Sequence, residues 1–226
     1  MKEMNNDGAL PTAPTKGERT AGRLLDAAEE LFAQKGYEAT SLRDVATAVN
    51  IRQPGLYRHF ESKEALYRQV LQRALQPLID VMDDVVARSG SEASYRTLTD
   101  QLLDVMARRP NAPLLMIRAV LSTTSHKDEI GMEWVDRIAS YGRRVTAAAA
   151  MDADSADLPF NIVAIFNLMF GYFWAAPLIK GLSGNDPLAP EMIDRQKTLL
   201  ARFQLSMESD PTIPRPPRLV KPDDGP

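Results

Sequence analysis

The chain of 226 residues is 44% hydrophobic, enough to bury a full core in one or two domains, and its net charge of −3 excludes a polycation. Cysteine is absent and only two histidines occur, His59 and His126, which removes disulfides, thiolate nucleophiles and cysteine-based metal sites. With no Gly-rich phosphate loop and no GxSxG, catalytic templates find no matching constellation, so neither an enzyme nor a cofactor is expected.

Residues 1–17 mix Pro, Thr and Ala with charge and lack the apolar run of a signal peptide, which predicts a disordered arm on a cytoplasmic protein. Lys16 and Arg19 on that arm read either as solvated or as probes of a minor groove. Beyond it, apolar residues recur at helical spacing and no sustained period-two alternation occurs, so the fold class is all-α. A first helix runs from about Thr20 to Lys35, with Leu24, Ala28, Leu31 and Phe32 on one face and Gly36 as its left-handed stop. A second starts at Ser41, whose hydroxyl can cap while Asp44 reaches back, and Leu42, Val45, Ala46 and Val49 give it an apolar stripe. Asn50 tolerates positive φ, so the chain can turn sharply there. A third short helix spans about Pro54 to Phe60, and Ser62 caps a fourth.

These boundaries form a helix-turn-helix plan over residues 18–62. Leu56 and Phe60, four apart, face inward and leave Gln53, Gly55, Tyr57 and Arg58 toward the outside, a shape that a major groove admits. Charge agrees in sign: residues 16–75 carry ten Lys and Arg against eight Asp and Glu, and residues 39–60 carry Arg43, Arg52 and Arg58 against Asp44 alone.

Residues 63–208 read as a helical ligand-binding and dimerisation domain. Pro77 is expected to kink or restart the fourth helix, with further helices at about 78–88, 92–108, 112–124, 128–150, 158–180 and 189–207, and a Pro-rich disordered tail at 209–226. Residues 158–179 hold no charge over 22 positions, long enough to span a bilayer. Asn161, Asn167, Gly171 and Pro177 inside the run, and an acidic remainder, favour a helix buried by its own domain and by a partner instead. Met192, Gln196, Leu199 and Phe203 repeat as a second seam, and the two seams predict a four-helix interface in a homodimer with no membrane partner. Tyr141, Asn167, Tyr172 and His126, with Met106, Met116, Trp134, Phe166, Phe170 and Trp174 as walls, suggest a pocket for an apolar or aromatic small-molecule effector, although each residue singly also reads as core or interface.

The stretch GYEATSLRDVATAVNIRQPGLYRHFESKEALY, residues 36–67, resembles the DNA-binding region of TetR-family transcriptional regulators. The Gly-aromatic pair after helix one, the Thr/Ser-rich start of helix two, the Val-Ala pair and LYRHF followed by SKEAL carry the resemblance, which covers about residues 19–75. It implies a repressor that grips double-stranded operator DNA and is released by a small-molecule effector; the alternative is a TetR-fold DNA-binding or structural protein without such a ligand. Position by position, it implies that Ser41 and Arg43 lie on the DNA side of helix two and that Arg43 reaches a base or phosphate. Gln53, Pro54 and Gly55 would present the base-reading surface, while Tyr57, His59 and Lys63 would fix the DNA backbone. Arg52 stands where the family often has a Ser or Thr cap, which leaves it to read a base or hold a phosphate and asks Gln53 to cap instead. Asn50 replaces a frequent Gly, and Gly55 could approach a base only by its backbone.

Overall fold

The computed structural model describes residues 15–88, 92–122, 136, 137, 139–141, 143, 144 and 158–209, and every regular element among them is a helix. The chain divides into two compact units, Met1–Val70 and Leu71–Pro226. The greater part of the expected arm, most of the helix expected at 128–150 and the Pro-rich tail lie outside the described residues.

In the first unit, α1 (Lys16–Lys35) starts earlier than its apolar periodicity predicts. Thr15 Oγ1 accepts the Glu18 amide at 3.2 Å and Glu18 Oε2 accepts the Thr15 amide at 2.7 Å, so two otherwise orphan donors are satisfied before the first buried residue arrives. Lys16 and Arg19 therefore sit in the first turn of a helix rather than on an extended arm. Leu24, Ala28 and Phe32 form the buried face, and Gly36 closes the helix at φ 84° with its N–H on the Phe32 carbonyl. The buried Thr40 hydroxyl donates to the Gly36 carbonyl at 2.8 Å, tying that stop to the start of α2 (Leu42–Ala48).

Ser41 and Asp44 make the expected reciprocal cap of α2, and Asn50 takes φ 58° just beyond its end. The next helix, α3, covers only Gln53–Leu56. The expected run to Phe60 is cut short because the amides of His59 and Phe60 both donate to the Leu56 carbonyl, at 2.8 and 3.0 Å, which tightens the chain into a turn. Leu56 and Phe60 are buried as expected. Ser62 Oγ then accepts the Ala65 amide at 3.0 Å and opens α4 (Lys63–Ala87). Leu66, Tyr67 and Val70 of α4 are buried, with the Tyr67 ring 4.9 Å from Phe32 and 4.8 Å from Tyr37, and the first unit ends after them, inside the helix. Each such side chain contributes on the order of 1.5 to 3 kcal/mol by burial.

Within the second unit α4 continues through Pro77 as one helix, so the expected restart there does not occur. Pro77 offers no N–H to the Arg73 carbonyl four residues back, and Arg109 Nη1 donates to that carbonyl at 3.3 Å in its place. The unit continues with α5 (Glu92–Arg108), α6 (Asn111–Ser122), α7 (Leu158–Trp174), α8 (Ala176–Ser183) and α9 (Pro190–Ser209). α5 packs on α6 and α9, and α7 packs on α6, α8 and α9, around Leu103, Met106, Leu115, Met116, Met169, Phe173 and Leu200. Three long-range polar contacts pin these helices. Gln196 Nε2 donates to the Leu168 carbonyl at 2.6 Å, the Tyr172 hydroxyl to the Pro187 carbonyl at 2.7 Å, and Lys197 pairs with Asp104 at 2.6 Å.

The apolar run expected as one helix over 158–180 is two, broken at Ala175 and bent by 65°. Pro177, in the first turn of α8, has no N–H to continue the α7 ladder and its ring excludes the carbonyl at Phe173. Among the described residues no single helix is long and apolar enough to cross a membrane; only the bent pair passes that test together. The second seam is divided as well. Met192 and Gln196 point into the protomer, whereas Leu199 is 53% exposed.

Candidate nucleic-acid interface

The residues expected to contact DNA lie on α2, at the α2–α3 turn, on α3 and at the start of α4, while α1 carries exposed polar side chains of its own. Ser41 is occupied as a cap: its Oγ donates to Asp44 Oδ2 at 2.7 Å and accepts the Asp44 amide at 3.1 Å. Those bonds, the hydroxyl's first, hold the Asp44 carboxyl below its ordinary range. Arg43 follows on the first turn of α2 with its side chain exposed.

Arg52 is the N-cap residue of α3, extended at φ −81° and ψ 148°, exposed, and makes no capping bond with its side chain. Gln53 does not cap in its stead; it is the first helical residue, half-buried, and its Nε2 reaches the Tyr57 hydroxyl at 3.5 Å. Pro54 is exposed beside it in the first turn of α3. Gly55 carries ordinary helical backbone, and a Cβ built there would meet only the Ile51 side chain, at Cδ1 (3.7 Å) and Cβ (4.0 Å), ordinary contacts. The packing inside the unit therefore gives no reason for a glycine at that position.

Tyr57 is 50% exposed and Arg58 lies beside it on the surface. His59 is half-buried with its ring 6.5 Å from Phe60. Among the described residues no group of three or more His, Cys, Asp or Glu side chains is disposed to hold a metal ion. Lys63, the first residue of α4, donates to the Glu38 carbonyl at 3.3 Å and stands over the Tyr37 ring at 4.3 Å. Partial burial pushes its pKa down, opposed by the Glu38 charge. Sequence reasoning missed Arg23 of α1, whose Nη2 donates to the Val49 carbonyl at 3.0 Å. No local signal links two residues so far apart in the chain.

The expected pocket residues do not gather in the same way. Met106 and Met116 are core side chains, 0% and 2% exposed. Tyr141 is buried with its hydroxyl on Asp83 Oδ2 at 2.8 Å, while Arg144 pairs with Asp83 Oδ1 at 3.3 Å. Phe166 and Phe170 stack at 4.3 Å. Asn167 is exposed and Trp174 is 66% exposed, on the outside of α7 with Phe160 and Val163. Trp134 and His126 lie outside the described residues.

A family model described as bacterial regulatory proteins, tetR family, matches residues 24–70. IcaR of Staphylococcus aureus strain Newman, a negative transcriptional regulator of the biofilm operon icaADBC, is 34% identical over 88 residues, 38% of this chain and 47% of that protein. The transcriptional repressor KstR2 of Rhodococcus jostii strain RHA1 is 41% identical over 76 residues, 34% of this chain and 36% of that protein. The chain thus spans half or less of the length of these curated relatives. Among solved structures, the ketosteroid transcriptional regulator KstR2 of Mycobacterium tuberculosis matches with a TM-score of 0.62 at 18% identity, covering 81% of this chain and 94% of that one. A TetR-like transcriptional regulator from Rhodococcus sp. RHA1 matches with a TM-score of 0.61 at 16% identity, covering 88% and 100%. These structural likenesses carry a shared fold over most of the chain.

Proposed function

Because the chain belongs to the TetR family of bacterial regulatory proteins, we propose that it is a DNA-binding transcriptional repressor, acting in the cytoplasm as a homodimer on a near-palindromic operator. The observation that carries this reading is the four-residue α3, preceded by a sharp turn and placed between two capped helices, with Arg52 exposed at its N-cap and Gln53 half-buried at its first residue. Gln53 and Arg43 read base edges, Gln suiting adenine and Arg suiting guanine, and Gly55 lets the backbone approach a base closely. Tyr57, His59 and Lys63 hold phosphates, and Arg52 serves either role. Selection of bound duplexes from a random pool tests this. A dyad with half-site centres about 34 to 36 Å apart, or a multiple of that, is expected, and selected sequences without a dyad would overturn it.

The partner in the dimer is a second copy seated on the outer apolar face of the helical unit. Phe160, Val163, Trp174, Leu178, Leu182 and Leu199 are all more than half exposed, apolar surface that water does not favour. Asn167 and Trp174 belong to this face on that account rather than to a pocket. Release by a small apolar or aromatic effector is the finer part of the proposal, supported by Phe166 and Phe170 as stacked, half-buried rings. The burial of Met106 and Met116 in the core favours the second reading, a DNA-binding protein of this fold without a small-molecule ligand. A thermal-shift screen against apolar metabolites, followed by operator release with any hit, separates the two.

A further inference from the structure

Resting on the reading of the first unit as a DNA-binding unit, we propose that Arg23 is a positioning residue for base recognition: its guanidinium clasps the α2–α3 turn and so aims Arg52 and Gln53. The need for such a clasp comes from the size of α3. Four residues make a helix too short to hold itself, so its direction is set by its anchor, Leu56, and by the turn that precedes it. That turn is demanding. Asn50 occupies the left-handed region at φ 58°, which L-residues adopt reluctantly. The amides of Asn50 and Ile51 fold back onto the carbonyls of Thr47 and Ala46 at 3.0 and 2.9 Å, which leaves the Val49 carbonyl at the open end of α2.

Arg23 fills that end from another helix. Its Nη2 donates to the Val49 carbonyl at 3.0 Å, a charge-assisted bond placed where a helix C-terminus carries partial negative charge. The bond joins α1, 26 residues away, to the residue next to Asn50. Arg52 and Gln53 follow within four residues of Val49, so a rotation at the turn passes directly to both side chains. Recognition of a base edge tolerates a displacement of only about 0.5 Å, or a rotation of about 10 to 20°. Arg23 thus governs discrimination without touching a base.

The full-length protein carrying Arg23→Met or Arg23→Lys tests this with two independent readouts. In the DNA-free protein, Arg23→Met is expected to speed amide exchange at Asn50 and Ile51 by about tenfold while the buried turns of α1 keep their protection. On DNA, operator affinity is expected to fall about tenfold while affinity for a scrambled duplex and the salt slope stay as in the parent. Arg23→Lys, which keeps a donor and the charge, restores part of both. Unchanged exchange at the turn overturns the proposal. So does an equal loss on both duplexes with a salt slope smaller by about one, which makes Arg23 a phosphate contact instead. If Arg23→Met loses its helical circular dichroism, Arg23→Lys carries the same comparison at smaller amplitude. A parent protein that binds no duplex at all refutes the DNA-binding reading, and the exchange measurement still judges the clasp.

Discussion

The two units use their polar side chains for different work. In residues 15–70 they close the backbone where helices start and stop: Thr15 with Glu18, Ser41 with Asp44, Thr40 on the Gly36 carbonyl, Ser62 on the Ala65 amide and Arg23 on the Val49 carbonyl. In the second unit they pin whole helices to one another, through Gln196 on α7, Tyr172 on the α8–α9 connection, Arg109 on α4 and the Lys197–Asp104 pair. The first arrangement fixes where each helix begins and ends, including the short α2 and α3. The second makes long helices held as a block, with an apolar face left outward. Substitutions should therefore separate the units by the property that fails.

The largest effect is expected at Leu56, fully buried beneath α3. Leu56→Ala should cost about 2 to 5 kcal/mol in urea denaturation and abolish operator binding; a loss below about 1 kcal/mol would mean that α3 hangs from something else. Next is Leu178, 62% exposed on α8, where the folded protomer has little to lose. Leu178→Glu should leave the helical circular dichroism intact but weaken self-association by about 2 kcal/mol or more, read by sedimentation. A variant that remained dimeric at the same concentration would move the partner face off α8.

Gly55→Ala should act in opposite directions on the two properties. It should raise stability by about 0.8 to 1 kcal/mol, because the site has room and helical backbone, and lower operator affinity, because the backbone can no longer approach. A gain in both would show the glycine to be incidental. The smallest effect concerns acid. Bonds to Thr15 and Ser41 depress the carboxyl pKa values of Glu18 and Asp44 in the folded state. A depressed folded pKa gives stability that is fully present above the unfolded values, about 4.3 and 3.9, and that is lost as pH falls through the folded ones. Ser41→Ala should therefore flatten the decline of melting temperature below about pH 4. An unaltered acid limb would remove that cap from the account.

The same division decides what could be read from residues alone. Ser41 with Asp44, Gly36, Asn50 and Ser62 act within three or four positions of themselves, so their spacing announces the helix ends that the structure contains. Thr15 and Glu18 have that spacing too, but they precede the first buried residue, and periodicity alone starts the helix late. Pro77 and Pro177 show where local reading stops. Both fall within runs of helical spacing, yet α4 continues through one and the helix breaks before the other, and for Pro77 the replacement donor is Arg109, 36 residues from the carbonyl it takes. The direction of the expected pocket residues on α7 is hard to read for a related reason. On a run as uniformly apolar as α7, hydropathy gives no direction, so it cannot separate an inward Met169 from an outward Trp174.

In the proposed function one surface both reads and grips DNA, with Gln53 reading and Lys63 gripping. Affinities of the parent, Gln53→Ala and Lys63→Ala for the selected operator and for a scrambled duplex, each at several salt concentrations, test it most directly. Gln53→Ala should lose about 1 to 3 kcal/mol on the operator, lose little on the scrambled duplex and relax the preference at one position of each half-site. Lys63→Ala should weaken both duplexes nearly equally and reduce the salt slope by about one, leaving the preferred sequence unchanged. Equal losses on both duplexes for Gln53→Ala would contradict the account and make Arg52 the first candidate for the reading residue.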